Sequence, residues 1–221
     1  MLRRTLIALM LAGPAVGAPN TDPFPVLPGI KGLQVQMVPD ALELGIHHAA
    51  INVNLTALLD MDKNPSGPVL LVEGRKFAFN GDYLANLDRQ IKPLSDQGIA
   101  VYLILIAYPS RDAARDALVI HPGARPDHQY SVGAFNSVTA EGRAWLSAVT
   151  GLLAERWSGA HPENGRVWAW IVGNEVNSHR LWYNLGRMPP AEAASHYENA
   201  FRIVHAAVRE ASAHARLHIS T

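Results

Sequence analysis

Apolar and polar positions along this chain repeat one arrangement several times. A stretch with apolar residues at helical spacing comes first, a glycine or polar residue ends it, and a short apolar run follows. In the clearest repeat, Gly81 opens a stretch whose leucine and isoleucine positions share one helical face, Gly98 ends it, and residues 99–107 form a continuous apolar run. Such repeats predict helices that each lead into a buried strand.

The predicted elements alternate along the whole chain. Helices are predicted at residues 38–44, 81–97, 139–157 and 191–212, and strands at residues 33–36, 48–55, 99–107, 167–173 and 217–219. Strands that are apolar throughout and separated by amphipathic helices specify a parallel sheet covered by helices. The fold class is therefore predicted as α/β.

Two insertions are predicted, and both follow strands rather than helices. Residues 60–80 predict a small hairpin, and residues 108–137, rich in Pro, Gly, His and Asp, predict a long loop. Within that loop, residues 113–117 and the charged side chains around them are predicted as a solvated surface turn. Insertions after strands lie at the carboxyl-terminal face of the sheet, where barrels and open α/β sheets carry their active sites.

The N-terminal 17 residues have the features of a secretory signal peptide. A basic start precedes an apolar run from Leu6 to Leu11, and small residues follow at a suitable cleavage position. A membrane anchor is the alternative, although the run is too short to span a bilayer and Pro14 interrupts it. Residues 18–30 predict an extended lead-in and residues 31–221 the domain, so we expect a secreted or periplasmic protein that is free of the membrane after signal cleavage.

Composition excludes several kinds of partner and cofactor. Nineteen basic and 19 acidic side chains leave no electrostatic footprint for nucleic acid. The chain has no cysteine, which excludes disulfides and thiolate metal sites. None of the predicted helices carries a His-x-x-x-His pair, so no metal and no cofactor are predicted. No obligate protein partner is predicted either.

The strongest chemical signal is at residues 167–177, where an apolar strand stops abruptly in polar side chains. Asn174 and Glu175 stand at that point, which is the mouth of the predicted sheet. Partial burial beside tryptophan would favour a protonated carboxyl group, able to protonate a departing glycosidic oxygen and later to activate water. The alternative is a glutamate that caps a helix or forms a salt bridge.

A strand four that ends in Gly173-Asn174-Glu175, after three strand–helix units, resembles clan A of the glycoside hydrolases. These retaining enzymes are (β/α)8 TIM barrels with an acid/base Glu after Asn on strand four and a nucleophilic Glu on strand seven. More narrowly, residues 32–36 and 47–55 are similar to a bacterial domain family of uncharacterised, predicted barrel glycosidases. The resemblance covers most of residues 31–221 and implies the N-terminal part of a TIM barrel, about strands one to five, with Glu175 as catalytic acid/base.

The resemblance also implies a cleft that binds a carbohydrate substrate. The expected substrate-binding residues are Asn174, Asn177, His179, Trp182, Asn52, Asn54 and Tyr108. Clan A enzymes often carry an Arg after strand two and a His near strand three, whereas this chain has the two asparagines and the tyrosine there. Asn52 and Asn54 also suit turn formation, and Trp182 and Tyr183 suit either stacking on a sugar or packing the loop down.

The sequence ends at Thr221, after the predicted fifth strand, so the nucleophile is expected beyond this chain. An incomplete barrel exposes a strand edge and apolar faces, which favours a truncated chain or partial record over a complete protein. The expected function is a secreted retaining glycoside hydrolase acting on O-glycosyl bonds, with this fragment alone inactive. The alternative is a non-catalytic carbohydrate-binding barrel or an inactive relative. No Gly-x-Ser-x-Gly elbow supports an α/β hydrolase.

Overall fold

The computed structural model describes residues 18–62, 64–125 and 131–221. The predicted signal peptide lies outside the described residues. The strands are β1 (Gly32–Gln34), β2 (His48–Asn54), β3 (Leu59–Asp60), β4 (Val69–Val72), β5 (Arg75–Phe79), β6 (Ala100–Ile106), β7 (Ala169–Val172) and β8 (Arg216–His218). The helices are α1 (Val38–Glu43), α2 (Leu55–Leu58), α3 (Gly81–Asp96), α4 (Ala113–Val119), α5 (Ala140–Arg156) and α6 (Pro190–Ala211), with a 3₁₀ turn at Pro162–Asn164.

In the described part of the chain, five strands form one parallel sheet in the order β1-β2-β6-β7-β8. Each strand pairs with the next one of the sheet along the sequence, which is the order of consecutive strands in a (β/α)8 barrel. Helices α1, α3, α5 and α6 connect them. The predicted alternation of strands and helices is therefore confirmed, and the chain forms strands one to five of a TIM barrel.

The two faces of this sheet differ in what they contact. Ile51, Leu103 and Trp170 are buried in the main core, between the sheet and the helices. The in-register neighbours one position later point the other way, towards the concave face of the barrel, where Asn52 is exposed and Ile104 joins a second, smaller apolar cluster. The period-two alternation along each strand thus separates structural from cleft-facing side chains.

The predicted hairpin after the second strand is confirmed. Strands β4 and β5 pair antiparallel, β3 adds to the other edge of β5, and the tight connection places Glu73 and Gly74 at positive φ. Phe77 and Phe79 contact the Trp145 ring of α5, with ring centroids 5.7 and 5.2 Å away. The insertion is therefore anchored on the helical layer.

The predicted surface turn at residues 113–117 is wrong, because these residues begin helix α4. The Asp112 side chain accepts hydrogen bonds from the backbone N–H groups of Ala114 and Arg115, which is an N-cap arrangement. The Asp116 carboxylate in turn accepts from the backbone N–H and the hydroxyl of Ser110. The Asp112 cap and the bonds from Ser110 to Asp116 therefore stabilise a short helix that the sequence pattern did not predict.

The lead-in before β1 crosses the amino-terminal ends of the strands. Arg166 holds its start, donating to the Asp22 carboxylate at 2.6 Å and to the Asn20 side chain at 3.0 Å. Farther along, the guanidinium of Arg216 lies 3.7 Å from the centre of the Phe24 ring. These contacts attach the segment to β8 and to the approach to β7, and so cover the end of the barrel opposite the polar strand ends.

Candidate active site

A cleft of about 230 Å³ opens at the carboxyl-terminal ends of β1, β2, β6 and β7. Its lining combines one carboxylate, three amide side chains, two aromatic rings and two aliphatic side chains: Gln34, Asn52, Ile106, Tyr108, Val132, Asn174, Glu175 and Trp182. Five of the predicted site residues, from three separate parts of the sequence, are therefore brought together. Among the described residues that line the cleft, Glu175 is the only carboxylic acid.

Glu175 occupies a backbone conformation that residues other than glycine rarely adopt. Its φ is 41°, and Gly173 two positions earlier has φ 79°. A left-handed conformation at a residue with a side chain costs on the order of 1 kcal/mol, and such outliers cluster at functional sites. The predicted partial burial of Glu175 is not observed, because this side chain is exposed at the rim of the cleft.

Three backbone contacts hold the turn that begins at Glu175. Its N–H donates to the Ser220 hydroxyl at 3.2 Å, and the N–H of Val176 donates to the Ser220 carbonyl at 2.9 Å. The Glu175 carbonyl accepts from the N–H of Ser178 at 2.7 Å. The chain therefore turns sharply where β7 ends and is attached there to the end of the neighbouring strand.

The two aromatic residues after this turn have different surroundings. Trp182 is half-buried and packs against Ile104, Ile106 and Val132 while it lines the cleft. Tyr183 is 1% exposed and lies in the main core, where burial raises the pKa of its hydroxyl far above the ordinary value. Tyr183 thus packs the loop down, which leaves Trp182 as the ring available to a ligand.

Gln34 is a cleft residue that the sequence did not single out. The Gln34 side-chain N–H donates to the Asn52 side-chain oxygen at 3.1 Å. This bond orients the Asn52 amide and uses only its oxygen, so the Asn52 NH₂ group takes no part in it. The signal was available, because Gln34 ends an edge strand on the same face as Ala50 and therefore on the face of Asn52.

Asn54 and Tyr108 differ in their relation to the cleft. The Asn54 side-chain oxygen accepts from the backbone N–H of Thr56 at 3.1 Å and from that of Tyr108 at 3.2 Å. Asn54 therefore caps α2 and fixes the start of the loop after β6, and it does not line the cleft. Tyr108 is exposed and does line it.

Asn177 and His179 lie away from the cleft. They line a separate, mainly apolar pocket of about 410 Å³ whose wall includes Tyr197 of α6 and Ile219. Tyr197 donates from its hydroxyl to the Val172 carbonyl at 2.8 Å, which attaches α6 to the end of β7. Asn177 and His179, which were predicted to bind substrate, thus lie towards α6, the helix that follows the site.

A histidine pair, of which His121 is buried and His196 half-buried, lies outside the cleft. His121 accepts from the N–H of Gly123 at Nδ1, and its Nε2 lies 3.2 Å from Nδ1 of His196. Burial and the neighbouring imidazole lower the pKa of His121 to about 4. In the part of the chain that the structure describes, no group of three or more His, Cys, Asp or Glu side chains is arranged to hold a metal ion.

Comparison with known protein families identifies the family of this chain. Residues 23–221 match the family of unknown function DUF5722. The chain belongs to this family. A comparison with curated proteins finds no match for the DUF5722 chain. Across its described residues, no helix combines the length and the apolar character that a membrane span requires.

Solved structures similar to the DUF5722 chain include glycoside hydrolases. The beta-glycosidase from the hyperthermophile Thermosphaera aggregans shares 15% identity and a TM-score of 0.50 over 82% of this chain and 41% of its own. A further glycoside hydrolase matches with 13% identity, a TM-score of 0.45, and coverage of 91% and 52%. An Arthrobacter globiformis isomalto-dextranase complexed with panose matches with 12% identity, a TM-score of 0.40, and coverage of 77% and 29%.

These similarities concern the fold of the DUF5722 chain. The match to the beta-glycosidase supports the barrel architecture that the strand order shows, and the chain spans about two-fifths of that enzyme's length. The barrel fold that the resemblance at residues 173–175 implied is therefore confirmed.

Proposed function

We propose that this DUF5722 protein is a secreted or periplasmic retaining glycoside hydrolase in which Glu175 is the general acid/base. The observation that carries the proposal is the cleft itself. It combines a carboxylate at the end of the fourth barrel strand with amide side chains and an aromatic ring, on a glycosidase-like fold. Polar groups that hydrogen-bond hydroxyls, next to a ring that covers an apolar sugar face, are the usual elements of carbohydrate recognition.

The proposed reaction assigns one role to each part of the cleft. Glu175 protonates the glycosidic oxygen as its bond to the anomeric carbon breaks, while a second carboxylate attacks that carbon from the opposite face. Glu175 then removes a proton from the water that releases the sugar. Asn174 and Asn52 hydrogen-bond sugar hydroxyls, and Trp182 stacks on the ring.

The nucleophile in this proposal comes from sequence beyond the 221 residues. A retaining mechanism places the two carboxyl groups roughly 5–5.5 Å apart. Among described residues, no acid other than Glu175 lines the cleft. We therefore assign the second carboxylate to a later barrel strand, and we expect the 221-residue chain alone to be inactive.

The experiment compares the full gene product with its Glu175→Gln form on aryl glycosides whose leaving groups differ in acidity. We expect kcat/KM to fall by about 10³-fold or more for poor leaving groups and far less for dinitrophenyl glycosides, which leave without protonation. Glu192→Gln, on the exposed surface of α6, is the matched control and leaves both rates unchanged. An equal loss for both classes of leaving group would remove Glu175 from the acid role.

A carbohydrate-binding barrel without catalysis is the second candidate, and the single carboxylate of the cleft favours it. This function predicts that full-length protein cleaves no glycoside but binds oligosaccharides, measured by calorimetry. It also predicts that Trp182→Ala abolishes binding while Glu175→Gln preserves it. Cleavage of any glycoside by the full-length protein excludes this candidate.

A further inference from the structure

We propose that Ser220 is a positioning residue that holds Glu175 over the cleft. This inference rests on the proposed function, because it concerns the residue assigned there as acid/base. Ser220 lies two residues after β8 and lines neither the cleft nor the pocket beside α6. Its role follows from the contacts it makes with the turn after β7.

The Glu175 conformation needs support from outside its own turn. Its φ of 41° lies in the left-handed region, which an L-residue leaves unless neighbouring contacts hold it. The Glu175 side chain has no hydrogen-bond partner among the described residues and is exposed, so it contributes little to fixing its own backbone. The direction of the carboxylate therefore depends on the backbone hydrogen bonds around it.

Ser220 supplies two of those bonds from one residue. Its hydroxyl accepts from the Glu175 N–H at 3.2 Å, and its carbonyl accepts from the Val176 N–H at 2.9 Å. The carbonyl bond continues the pairing of the two strands and survives any side-chain change. The hydroxyl bond is the specific one, because it alone reaches the amide of the catalytic residue.

Gly173 makes the same segment dependent on an external support. Its φ of 79° allows the chain to leave β7 next to the Tyr183 ring, so the backbone passes through two unusual conformations within three residues. Such a segment has alternative conformations close in energy once one hydrogen bond is removed. Loss of the Ser220 hydroxyl therefore misdirects Glu175 without unfolding the sheet.

The test compares Ser220→Ala with Ser220→Thr, which retains the hydroxyl, in the full gene product. We expect Ser220→Ala to lower kcat/KM, which reports the first chemical step, about fivefold for glycosides with poor leaving groups and to leave kcat/KM for dinitrophenyl glycosides nearly unchanged. Ser220→Thr restores most of the activity. Ser195→Ala, an exposed serine on α6, is the matched control and has no effect.

Amide hydrogen exchange of residues 173–178 provides a readout that does not depend on activity. We expect the Glu175 amide to exchange about fivefold faster in Ser220→Ala than in the parent or in Ser220→Thr. Unchanged exchange overturns the positioning role, whatever the kinetics show. An equal loss of kcat/KM for both leaving-group classes also overturns it.

The two proposals fail in different ways. In one case Glu175→Gln shows no leaving-group dependence, while amide exchange at Glu175 still responds to Ser220→Ala. The acid/base function is then wrong, and Ser220 supports the turn without a catalytic role. If Glu175→Gln shows the dependence and Ser220→Ala does not, only the positioning role is wrong.

Discussion

Asp88 is the acceptor for two consecutive residues at the end of α5. Its carboxylate accepts from Nε of Arg156 at 2.9 Å and from Nη2 at 2.5 Å, and it also accepts from the Trp157 indole N–H at 2.9 Å. The pair is mostly shielded, with 27% of the Arg156 side chain and 17% of the Asp88 side chain exposed. Removing one member of such a shielded carboxylate–guanidinium pair costs more than removing one member of a surface pair, because it leaves the other charge unpaired.

Asp88→Asn is therefore expected to lower the free energy of unfolding by about 2 kcal/mol, because it leaves a shielded guanidinium without its charge partner. The matched control is Asp96→Asn on the same helix, whose partner Lys92 is bonded at 2.8 Å but is well exposed. Its expected cost is about 0.5 kcal/mol or less. Urea unfolding followed by tryptophan fluorescence measures both, and equal costs would contradict the expectation.

His121 gives the protein a defined dependence on acid. The pKa of His121 falls from an ordinary 6.5 in the unfolded chain to about 4 in the folded chain. Between pH 4 and pH 6.5 the unfolded chain therefore binds a proton that the folded chain does not bind. The contribution of His121 to the free energy of unfolding should thus be fully present above pH 6.5. It should decline as pH falls towards 4, by no more than about 3 kcal/mol. In His121→Gln the decline should be shallower, and parallel stability curves for the two proteins would count against this.

Neighbouring residues show where prediction from sequence reaches its limit. Trp182 and Tyr183 are both aromatic and adjacent, and the sequence left open whether each stacks on a ligand or packs the loop. The structure separates them, because only Tyr183 reaches the core beside Phe135 and Tyr197. That choice depends on residues far away in the sequence, which no local pattern contains.

At the scale of the elements, the end of β7 is closely enclosed by neighbouring side chains. A Cβ on Gly173 would lie 2.8 Å from two carbons of the Tyr183 ring. The substituted residue would also have to adopt φ 79°. Gly45 provides a contrast, since it ends the segment after α1 at φ 61° with nothing within 4 Å of its added Cβ. Both glycines accommodate a left-handed turn, but only one of them is also enclosed.

Gly173→Ala is expected to cost about 3 kcal/mol of unfolding free energy and to displace the residues that follow, whereas Gly45→Ala costs about 1 kcal/mol. Thermal or urea unfolding measures the difference, and Trp182 fluorescence reports the displacement. Equal costs would mean that the turn relaxes freely and that Tyr183 does not fix it.

Helix α4 shows why short elements are missed in sequence. Its seven residues are too few to show apolar periodicity, and its start is stabilised by the Asp112 cap and by the bond from Ser110 to Asp116. The Asp112 cap was visible as an acidic residue before a helix-compatible run. The bond from Ser110 to Asp116 was not, because it depends on how the loop leaves β6.

At the scale of the molecule, the lead-in closes one end of the barrel. Phe24 lies between the Arg216 guanidinium and the edge of Trp168, 5.8 Å away between ring centres. The nearby Val26 is fully exposed. One apolar side chain of this segment is thus part of the packed structure, and its neighbour is not.

Phe24→Ala should lower the free energy of unfolding by about 1.5 kcal/mol, because it removes half-buried ring area and a cation–π contact. Val26→Ala is the matched control and should change it by less than 0.5 kcal/mol, within the usual range for surface positions. Chemical unfolding distinguishes the two. Equal effects would show that the segment is not held at Phe24.

The order of strands was predictable from the sequence because each helix–strand unit repeats the same pattern. The arrangement of polar side chains around the strand ends was less so. Glu175, Asn174 and Asn52 share the cleft as expected, but Asn177 and His179 turn towards α6, only two and four residues after Glu175. The sharp turn at Glu175 reverses the chain there, and its left-handed φ has no signature in the residue type.

The turn that carries Glu175 is completed by a serine 45 positions later in the chain. During synthesis, β1, β2, β6 and β7 can leave the ribosome and pair in order, since each needs only the strand before it. The carboxylate still lacks its support until Ser220 has emerged and β8 has paired. If Glu175 is the acid and Ser220 its support, as proposed, a nascent chain would possess the cleft before it possesses a correctly directed acid, and the timing of translation would separate folding from the acquisition of chemistry.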